Sequence, residues 1–212
     1  MALRISEIFY SLQGEAARAG LPTVFVRLTG CPLRCVWCDT EYSFTGGEAA
    51  SIDSVLAEVG KYPAKQVCVT GGEPLSQKEC QPLLTALCDA GYDVSLETSG
   101  ALDIAAVDPR VSRIMDLKAP DSGESAKNRW ENLPLLKAQD EIKIVIASRA
   151  DYDWAVKVLR DNALDSLCPV LLSPAQGALE AVQLAEWILA DGLPVRFQMQ
   201  LHKLLWGNIR GK

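Results

Sequence analysis

Short apolar segments recur along the chain, and most are continuous rather than alternating between apolar and polar residues. They read PTVFVRLTG (22–30), QVCVT (66–70), DVSLETS (93–99), SRIMDLK (112–118), EIKIVIA (141–147), CPVLLS (168–173) and PVRFQMQ (194–200). Continuous runs of this kind are typical of strands that are covered on both faces of a sheet. The pattern therefore predicts about six or seven buried strands.

Amphipathic helical patterns lie between these strands. They cover residues 51–62, 76–91, 148–161 and 177–192. Ser76 and Glu79 have the spacing of a capping box at the start of the second pattern. Pro82 fits poorly in a helix that starts at Ser76, and it favours a later first residue. Ser148 and Asp151 repeat the box-like spacing at the start of the third pattern.

Strands that alternate with helices at this spacing predict an α/β fold with a parallel sheet. A length of 212 residues suits a single domain, residues 1–212, rather than two. The sheet is either doubly wound or a barrel with missing strands, and in both folds functional residues gather at the carboxyl ends of the strands. GCPLRCVWCDT follows the first predicted strand and TGGEP follows the second, so both lie where a site is expected.

The charge of the chain narrows the classes of partner. It carries 27 acidic and 21 basic residues, a formal net charge of −6, and such a surface repels the phosphates of nucleic acids and of anionic membranes. No segment approaches the roughly 18–20 apolar residues that span a bilayer. MALRISEIFY also lacks the apolar core of a signal peptide. We therefore expect a cytoplasmic protein with no direct nucleic-acid or membrane partner.

Three of the seven cysteines, Cys31, Cys35 and Cys38, lie within eight residues. An odd number with such a cluster does not resemble a disulfide framework and favours a reducing compartment. Two kinds of metal centre suit the three thiols. Zinc needs a fourth ligand, for which His202, the only histidine, is available. A [4Fe–4S] cluster held by three cysteines instead keeps one iron free for a small-molecule ligand.

Polar residues around the cysteine loop indicate a ligand pocket. Gln13 and Glu15 supply hydrogen-bonding groups in the segment YSLQGEAARAG. Arg27 lies within an apolar strand and needs an anionic partner, for which we favour a ligand over a carboxylate of the protein. Asp39 and Thr40 directly follow the last cysteine, so their oxygens are placed to reach a hard cation.

The C-x3-C-x2-C spacing, with Trp37 before the last cysteine, and the TGGEP segment together resemble the radical S-adenosylmethionine superfamily. The resemblance implies a [4Fe–4S] cluster on Cys31, Cys35 and Cys38, with the free iron chelated by the cofactor's methionine group. One electron from the cluster then cleaves the cofactor to a 5′-deoxyadenosyl radical. The backbone of the GGEP motif would receive the methionine ammonium, and the Glu73 carboxylate is expected near this amine.

A closer resemblance, to the 7-carboxy-7-deazaguanine synthase family, runs through residues 5–207. It rests on the segments LQGEA, VRLTGCPLRCVWCDT, TGGEP, ETSG, MDLKAPDSGE, LLSPAQG and MQLHKLLWG, in this order. The resemblance implies a partial, irregular (β/α) barrel of the radical SAM type. It also implies a lyase that converts 6-carboxy-5,6,7,8-tetrahydropterin to 7-carboxy-7-deazaguanine with loss of ammonia, on the route to queuosine. In that family the radical removes the C6 hydrogen and the ring then contracts.

The same resemblance implies roles for the matching residues. The pterin would be bound by Leu12, Gln13, Gly14, Glu15, Arg27, Thr70 and His202, of which Arg27, Glu15 and His202 are the expected catalytic residues. S-adenosylmethionine would be held by Trp37, Gly72, Glu73, Glu97, Asp116, Lys118, Ser173, Pro174, Ala175 and Gln176. Thr40 would ligate Mg²⁺ beside the cluster.

The resemblance further implies a homodimer and an electron donor such as flavodoxin or ferredoxin. Ala16 stands where a glycine is expected after Gln-Gly-Glu, so we expect a slightly different local backbone.

Two other functions stay open. One is a different radical SAM enzyme, such as a glycyl-radical activase, although LQGEA and Arg27 favour a small-molecule pocket. The other is a zinc-binding protein without catalysis.

Overall fold

The computed structural model of the chain describes residues 2–207 and 209–212. Its central element is one open sheet. The strands found in these residues are β1 (Leu3–Leu12), β2 (Pro22–Leu28), β3 (Glu48–Ala50), β4 (Gln66–Gly71), β5 (Asp93–Thr98), β6 (Ser112–Leu117), β7 (Glu141–Ile146), β8 (Val170–Pro174) and β9 (Arg196–Phe197). Their spatial order is β3-β1-β2-β4-β5-β6-β7-β8-β9. Pairing is parallel from β2 through β9, whereas β1 lies antiparallel to both β2 and β3.

The predicted mostly parallel α/β sheet is confirmed, and each of the seven predicted segments contains a strand, although the bounds differ by up to three residues. β1 and β3 are additions that the apolar pattern does not predict. A bulge between Ile5 and Glu7 shifts the register of β1 against β2. Leu3 and Ile5 belong to the core on one side of this bulge, and Ile8 packs against the core on the other. Because a bulge breaks the two-residue alternation, the ten-residue strand lacks the usual sequence pattern.

The helices are α1 (Ile52–Val59), α2 (Cys80–Asp89), α3 (Arg149–Asp161), α4 (Leu164–Leu167), α5 (Ala181–Asp191) and α6 (Leu201–Trp206), with short 3₁₀ turns between elements. The four predicted helices correspond to α1, α2, α3 and α5. In the part of the chain that the structure describes, none of them has the length and apolar character of a bilayer-spanning helix.

The two predicted capping boxes have different outcomes. The Ser148 hydroxyl accepts a hydrogen bond from the Asp151 amide at the start of α3, as the spacing predicts. The box at Ser76 is wrong, because α2 begins only at Cys80, as the position of Pro82 favours. The Ser76 hydroxyl donates instead to the Glu73 carbonyl oxygen, 2.6 Å away, within the turn that precedes the helix.

The two faces of the sheet differ in their surroundings. Strand residues such as Val26 and Val69 are buried in one hydrophobic core together with the apolar faces of α1, α2, α3 and α5. The residues that alternate with them, including Arg27, Thr70 and Lys143, line a cavity on the opposite face. Since neighbouring side chains of a strand point to opposite faces, the same strands build the core and carry the polar groups of the cavity.

Candidate active site

A cavity of about 640 Å³ lies at the carboxyl ends of the parallel strands. It brings together every predicted site residue except Glu73. The predicted residues that line it are Leu12, Gln13, Gly14, Glu15, Arg27, Cys31, Cys35, Trp37, Cys38, Thr40, Thr70, Gly72, Glu97, Asp116, Lys118, Ser173, Pro174, Ala175, Gln176 and His202. Residues without a predicted role also line it, notably Lys143, Gln200 and the chain end at 209–212.

The three clustered cysteines form one wall of the cavity. They follow β2 directly, are half-buried and are not bonded to other cysteines. Burial raises the pKa of the Cys31 and Cys35 thiols, and the nearby Lys118 ammonium partly opposes this rise. These two thiols are therefore mostly protonated until a metal centre binds, and binding then releases their protons.

Glycines in TGGEP hold this turn directly against the cysteine loop. A Cβ atom on Gly72 would lie 2.3 Å from the Gly30 carbonyl oxygen and 2.7 Å from Cys31 Cβ. Gly71 has a φ of +152°, and a Cβ there would lie 2.2 Å from the Leu28 carbonyl oxygen. Only glycine allows this approach, so the two motifs that suggest a common ligand in the sequence are also joined in space.

Glu73 lies apart from the other predicted site residues. The side chain is fully buried and does not line the cavity. Its carboxylate accepts hydrogen bonds from the Ser99 amide (2.7 Å), the Thr98 hydroxyl (3.0 Å to each oxygen) and the Leu75 amide (3.0 Å). The carboxylate therefore ties the TGGEP turn to the end of β5, and its expected proximity to a cofactor amine stays a prediction.

Two buried atoms on the cavity wall suit a polar ligand. Asp116 Oδ1 and Ser173 Oγ have no hydrogen-bond partner among the residues that the structure describes. An unpaired buried polar atom costs about 1–3 kcal/mol, which a bound ligand with hydroxyl or amino groups would relieve. Both atoms belong to residues predicted to hold S-adenosylmethionine, and three thiols match three of the four irons of a [4Fe–4S] cluster. The wall therefore fits both groups.

The sequence permits two single-ion centres, a zinc site and a magnesium site. The described residues form a complete set of side-chain ligands for neither ion. No three His, Cys, Asp or Glu side chains converge on one ion within residues 2–207 and 209–212. Thr40 Oγ1 lies 3.8 Å from Cys38 Sγ. The neighbouring Asp39 carboxylate forms an ion pair with Lys203 at 2.7 Å. His202, the suggested fourth zinc ligand, packs against Gly14, where a Cβ would lie 2.0 Å from its Nδ1.

One hydrogen-bonded group in the cavity joins Gln13, Thr70 and Glu97. The Thr70 hydroxyl donates to Glu97 Oε2 at 2.8 Å, and Gln13 Nε2 donates to Glu97 Oε1 at 3.3 Å. Gln13 Oε1 accepts from the Gly14 and Glu15 amides and so fixes the loop that carries it. Glu97, predicted to contact the cofactor, thus lies beside two residues predicted to contact the substrate.

Glu15 forms an ion pair with Lys143, a residue to which the sequence assigned no role. Gln200 Nε2 also donates to Glu15 Oε1 at 2.6 Å. Burial alone would raise the pKa of Glu15, but the charge and hydrogen bonds of its partners lower it overall. Lys143 could have been found by the rule that singled out Arg27, because it is a charged residue within the apolar segment EIKIVIA.

Arg27 has a protein carboxylate as its partner. Its Nε donates to Glu7 Oε1 at 2.7 Å, and both side chains are largely buried. Glu7 lies opposite Arg27 in the pairing of β1 with β2. The Tyr42 hydroxyl and Arg210 Nε also donate to Glu7, each at 2.9 Å. The salt bridge that sequence reasoning ranked second is therefore present, although Arg27 still lines the cavity.

His202 lines the cavity from the C-terminal part of the chain. The Leu201 amide donates to the Gly14 carbonyl oxygen at 2.9 Å, which fixes the start of α6 on the loop after β1. Burial lowers the pKa of His202, although the charges of Glu15 and Asp39 oppose this effect. The imidazole is therefore mostly neutral near pH 7 and can both donate and accept a hydrogen bond.

Ala16 keeps the backbone that a glycine would adopt. Its φ is +64°, and Gln198 brackets it by accepting from its amide at 2.8 Å and donating to its carbonyl oxygen at 3.1 Å. Ala16 therefore holds a strained left-handed conformation, and the expected difference from the family's backbone stays a prediction.

Ala16→Gly is expected to raise the free energy of unfolding by about 0.5–1 kcal/mol, because relief of left-handed strain exceeds the added entropy of the unfolded chain. Equilibrium urea unfolding of the cluster-free, reduced protein would measure the change. Ala17→Gly is the matched control, since Ala17 has no positive φ, and it should lower stability by about 0.4–1 kcal/mol. Equal losses for both variants would contradict the assignment of strain to Ala16.

Comparison with known proteins agrees with this geometry. Residues 25–163 match the family model of the radical SAM superfamily. A relative from Chlorobaculum tepidum, named 7-carboxy-7-deazaguanine synthase, is 48% identical over 207 residues, which cover 96% of this chain and 94% of the relative. A relative of the same name from Koribacter versatilis is 45% identical and covers 96% and 97%. The crystal structure of QueE from Escherichia coli is 28% identical with a TM-score of 0.79 over 95% of each chain.

The family match covers the cysteine loop and the strands β4 to β7, and the relatives extend over nearly the whole chain. The chain therefore belongs to the radical SAM superfamily and, within it, to the 7-carboxy-7-deazaguanine synthase family.

Proposed function

We propose that this chain, acting as a single domain, converts 6-carboxy-5,6,7,8-tetrahydropterin to 7-carboxy-7-deazaguanine with loss of ammonia, in queuosine biosynthesis. The observation that carries the proposal is the composition of the cavity. One space of about 640 Å³ joins the cysteine loop, the TGGEP turn and the polar loop after β1. A cavity of this size suits a substrate and a cofactor held side by side.

The cofactor half consists of the cysteine loop and the strand ends that face it. Cys31, Cys35 and Cys38 would hold a [4Fe–4S] cluster, which when reduced supplies the electron that cleaves S-adenosylmethionine. Asp116 and Ser173 have unpaired oxygen atoms for the polar groups of this cofactor. The other residues that the family resemblance assigns to this cofactor, and that line the same cavity, are Trp37, Gly72, Glu97, Lys118, Pro174, Ala175 and Gln176.

The substrate half consists of residues that donate and accept hydrogen bonds. A pterin presents both kinds of group along its edge, and Gln13, Glu15 and Thr70 offer the complementary ones. Arg27 is placed for the substrate carboxylate, with Glu7 fixing its guanidinium. A neutral His202 can exchange a proton with the substrate or orient it. A site of this kind discriminates strongly, since an analogue lacking one group leaves a buried partner unpaired.

Several partners belong to this proposal. Thr40 would supply an oxygen ligand to Mg²⁺, with oxygens of the substrate completing the coordination. An electron donor such as flavodoxin or ferredoxin would reduce the cluster, and the working unit would be a homodimer. All seven cysteines are free, which suits the reducing conditions of the cytoplasm.

The test is turnover under anaerobic conditions. Reconstituted, chemically reduced protein is incubated with S-adenosylmethionine, Mg²⁺ and 6-carboxytetrahydropterin, and products are followed by mass spectrometry. Formation of 7-carboxy-7-deazaguanine is the expected result, and a reaction without the pterin is the control. Deoxyadenosine without the deazaguanine would retain the radical chemistry and reject the substrate. Neither product, despite an intact cluster, would reject the proposed function.

A further inference from the structure

Lys143 lies at the boundary between the two halves of the cavity. It is in the middle of β7, where it pairs in register with Asp116 of the neighbouring strand β6. Its ammonium contacts Glu15 on the substrate side, and it lies 3.5 Å from Asp116 Oδ2 on the cofactor side. The three side chains are between 11% and 17% exposed, so water screens these charges only weakly.

The two carboxylates depend on Lys143 to different degrees. Asp116 has a second and closer cation, because Lys118 Nζ lies 3.0 Å from the same Oδ2 atom. Glu15 has no second cation in contact among the residues that the structure describes, and its other side-chain partner is the neutral amide of Gln200. Loss of the Lys143 charge would therefore leave Asp116 paired and Glu15 unpaired.

The other charged groups around Glu15 increase its dependence on the Lys143 charge. Asp39 from the cysteine loop and Glu97 from β5 line the same cavity and carry the same charge as Glu15. Arg27 is paired with Glu7, and Lys203 is paired with Asp39. His202 from α6 is mostly neutral because burial lowers its pKa. Lys143 is thus the cation that compensates Glu15 directly.

We propose that Lys143 is a positioning residue that holds the Glu15 carboxylate for recognition of the substrate's N–H donors. The 2-amino-4-oxo edge of a pterin presents two parallel N–H groups, and an oriented carboxylate accepts such a pair in bidentate fashion. Without the lysine, Glu15 either takes up a proton or turns toward another donor, and both changes remove this acceptor. This inference rests on the proposed function, because it assumes a pterin in the substrate half.

The test measures binding without turnover, on holoenzyme that carries an oxidised cluster. Dissociation constants for 6-carboxytetrahydropterin and for S-adenosylmethionine are measured separately for wild type, Lys143→Met, Lys143→Arg and Lys157→Met. Lys143→Met should weaken pterin binding about 10- to 100-fold and leave S-adenosylmethionine binding within about threefold. Lys143→Arg should recover most of the pterin affinity. Lys157→Met, the matched control, should leave binding of both molecules within about threefold, because Lys157 forms an exposed ion pair with Asp161 outside the cavity.

A double-variant cycle with Glu15→Gln tests whether Lys143 acts through Glu15. On that background Lys143→Met should add little further loss of pterin affinity, since the partner carboxylate is already absent. A full additional loss would overturn the proposal, as would unchanged pterin binding in Lys143→Met. Equal loss of pterin and cofactor binding, with lower iron content, would assign Lys143 to the fold alone and overturn it as well. If wild type itself does not bind the pterin, the proposed function fails first.

Discussion

Cys35→Ala is expected to abolish cluster binding and cleavage of S-adenosylmethionine together. Cys35 is the middle thiol of the loop and lines the cavity near Lys118 and Asp116. No other cysteine among the residues lining the cavity can replace it, since Cys31 and Cys38 are already needed. Loss of a group that merely supports a metal ligand typically costs about 10- to 100-fold in affinity or activity. Loss of the ligand itself should therefore lower deoxyadenosine formation by more than about 100-fold.

The loss of cluster binding is measured as iron and acid-labile sulfide content after anaerobic reconstitution. The loss of S-adenosylmethionine cleavage is measured as the yield of deoxyadenosine. Cys88→Ala is the matched control, because Cys88 is also a half-buried free thiol but lies in α2 outside the cavity. It should retain the iron content and activity of wild type. Substantial turnover by Cys35→Ala would refute the assignment of the three ligands, and zinc without labile sulfide in wild type would refute the cluster.

The cysteine loop and the TGGEP turn can be recognised in the sequence because their features are local. Three thiols within eight residues and two adjacent glycines need no information on distant contacts. The close approach of Gly72 to Gly30 and Cys31 gives the reason for these residue types. Continuous apolar runs likewise predict β2 and the strands β4 to β8, since both faces of each of these strands are covered.

The charge pairs of the site depend on strand register, which one sequence does not reveal. Glu7 reaches Arg27 only because β1 pairs antiparallel with β2, and the bulge in β1 hides that strand from pattern analysis. Lys143 reaches Glu15 across 128 positions of the chain. Glu73 is the opposite case. Its motif suggests a ligand contact, whereas its four partner groups on Leu75, Thr98 and Ser99 make it part of the fold.

The register that brings Asp116 opposite Lys143 is itself fixed by a buried ion pair at the start of the same two strands. Asp140 is fully buried, and Arg113 of β6 is 5% exposed. Asp140 accepts hydrogen bonds from Arg113 Nε (3.0 Å) and the Arg113 amide (2.8 Å), and also from the Lys137 amide (2.8 Å). The Arg113 side chain donates further to the Leu135 carbonyl oxygen at 2.7 Å. This network joins β6 to the residues that lead into β7.

Asp140→Ala is therefore expected to lower the free energy of unfolding by about 3–5 kcal/mol, because it leaves the Arg113 charge buried and uncompensated. Urea unfolding of the cluster-free, reduced protein, followed by circular dichroism, measures the loss. Asp153→Ala is the matched control: its pair with Arg149 is more than half exposed on both sides and should contribute at most about 1 kcal/mol. Arg113→Met/Asp140→Leu should lose less than Asp140→Ala, since no charge is then buried alone. Equal losses for Asp140→Ala and Asp153→Ala would contradict this account of how the two strands are held in register.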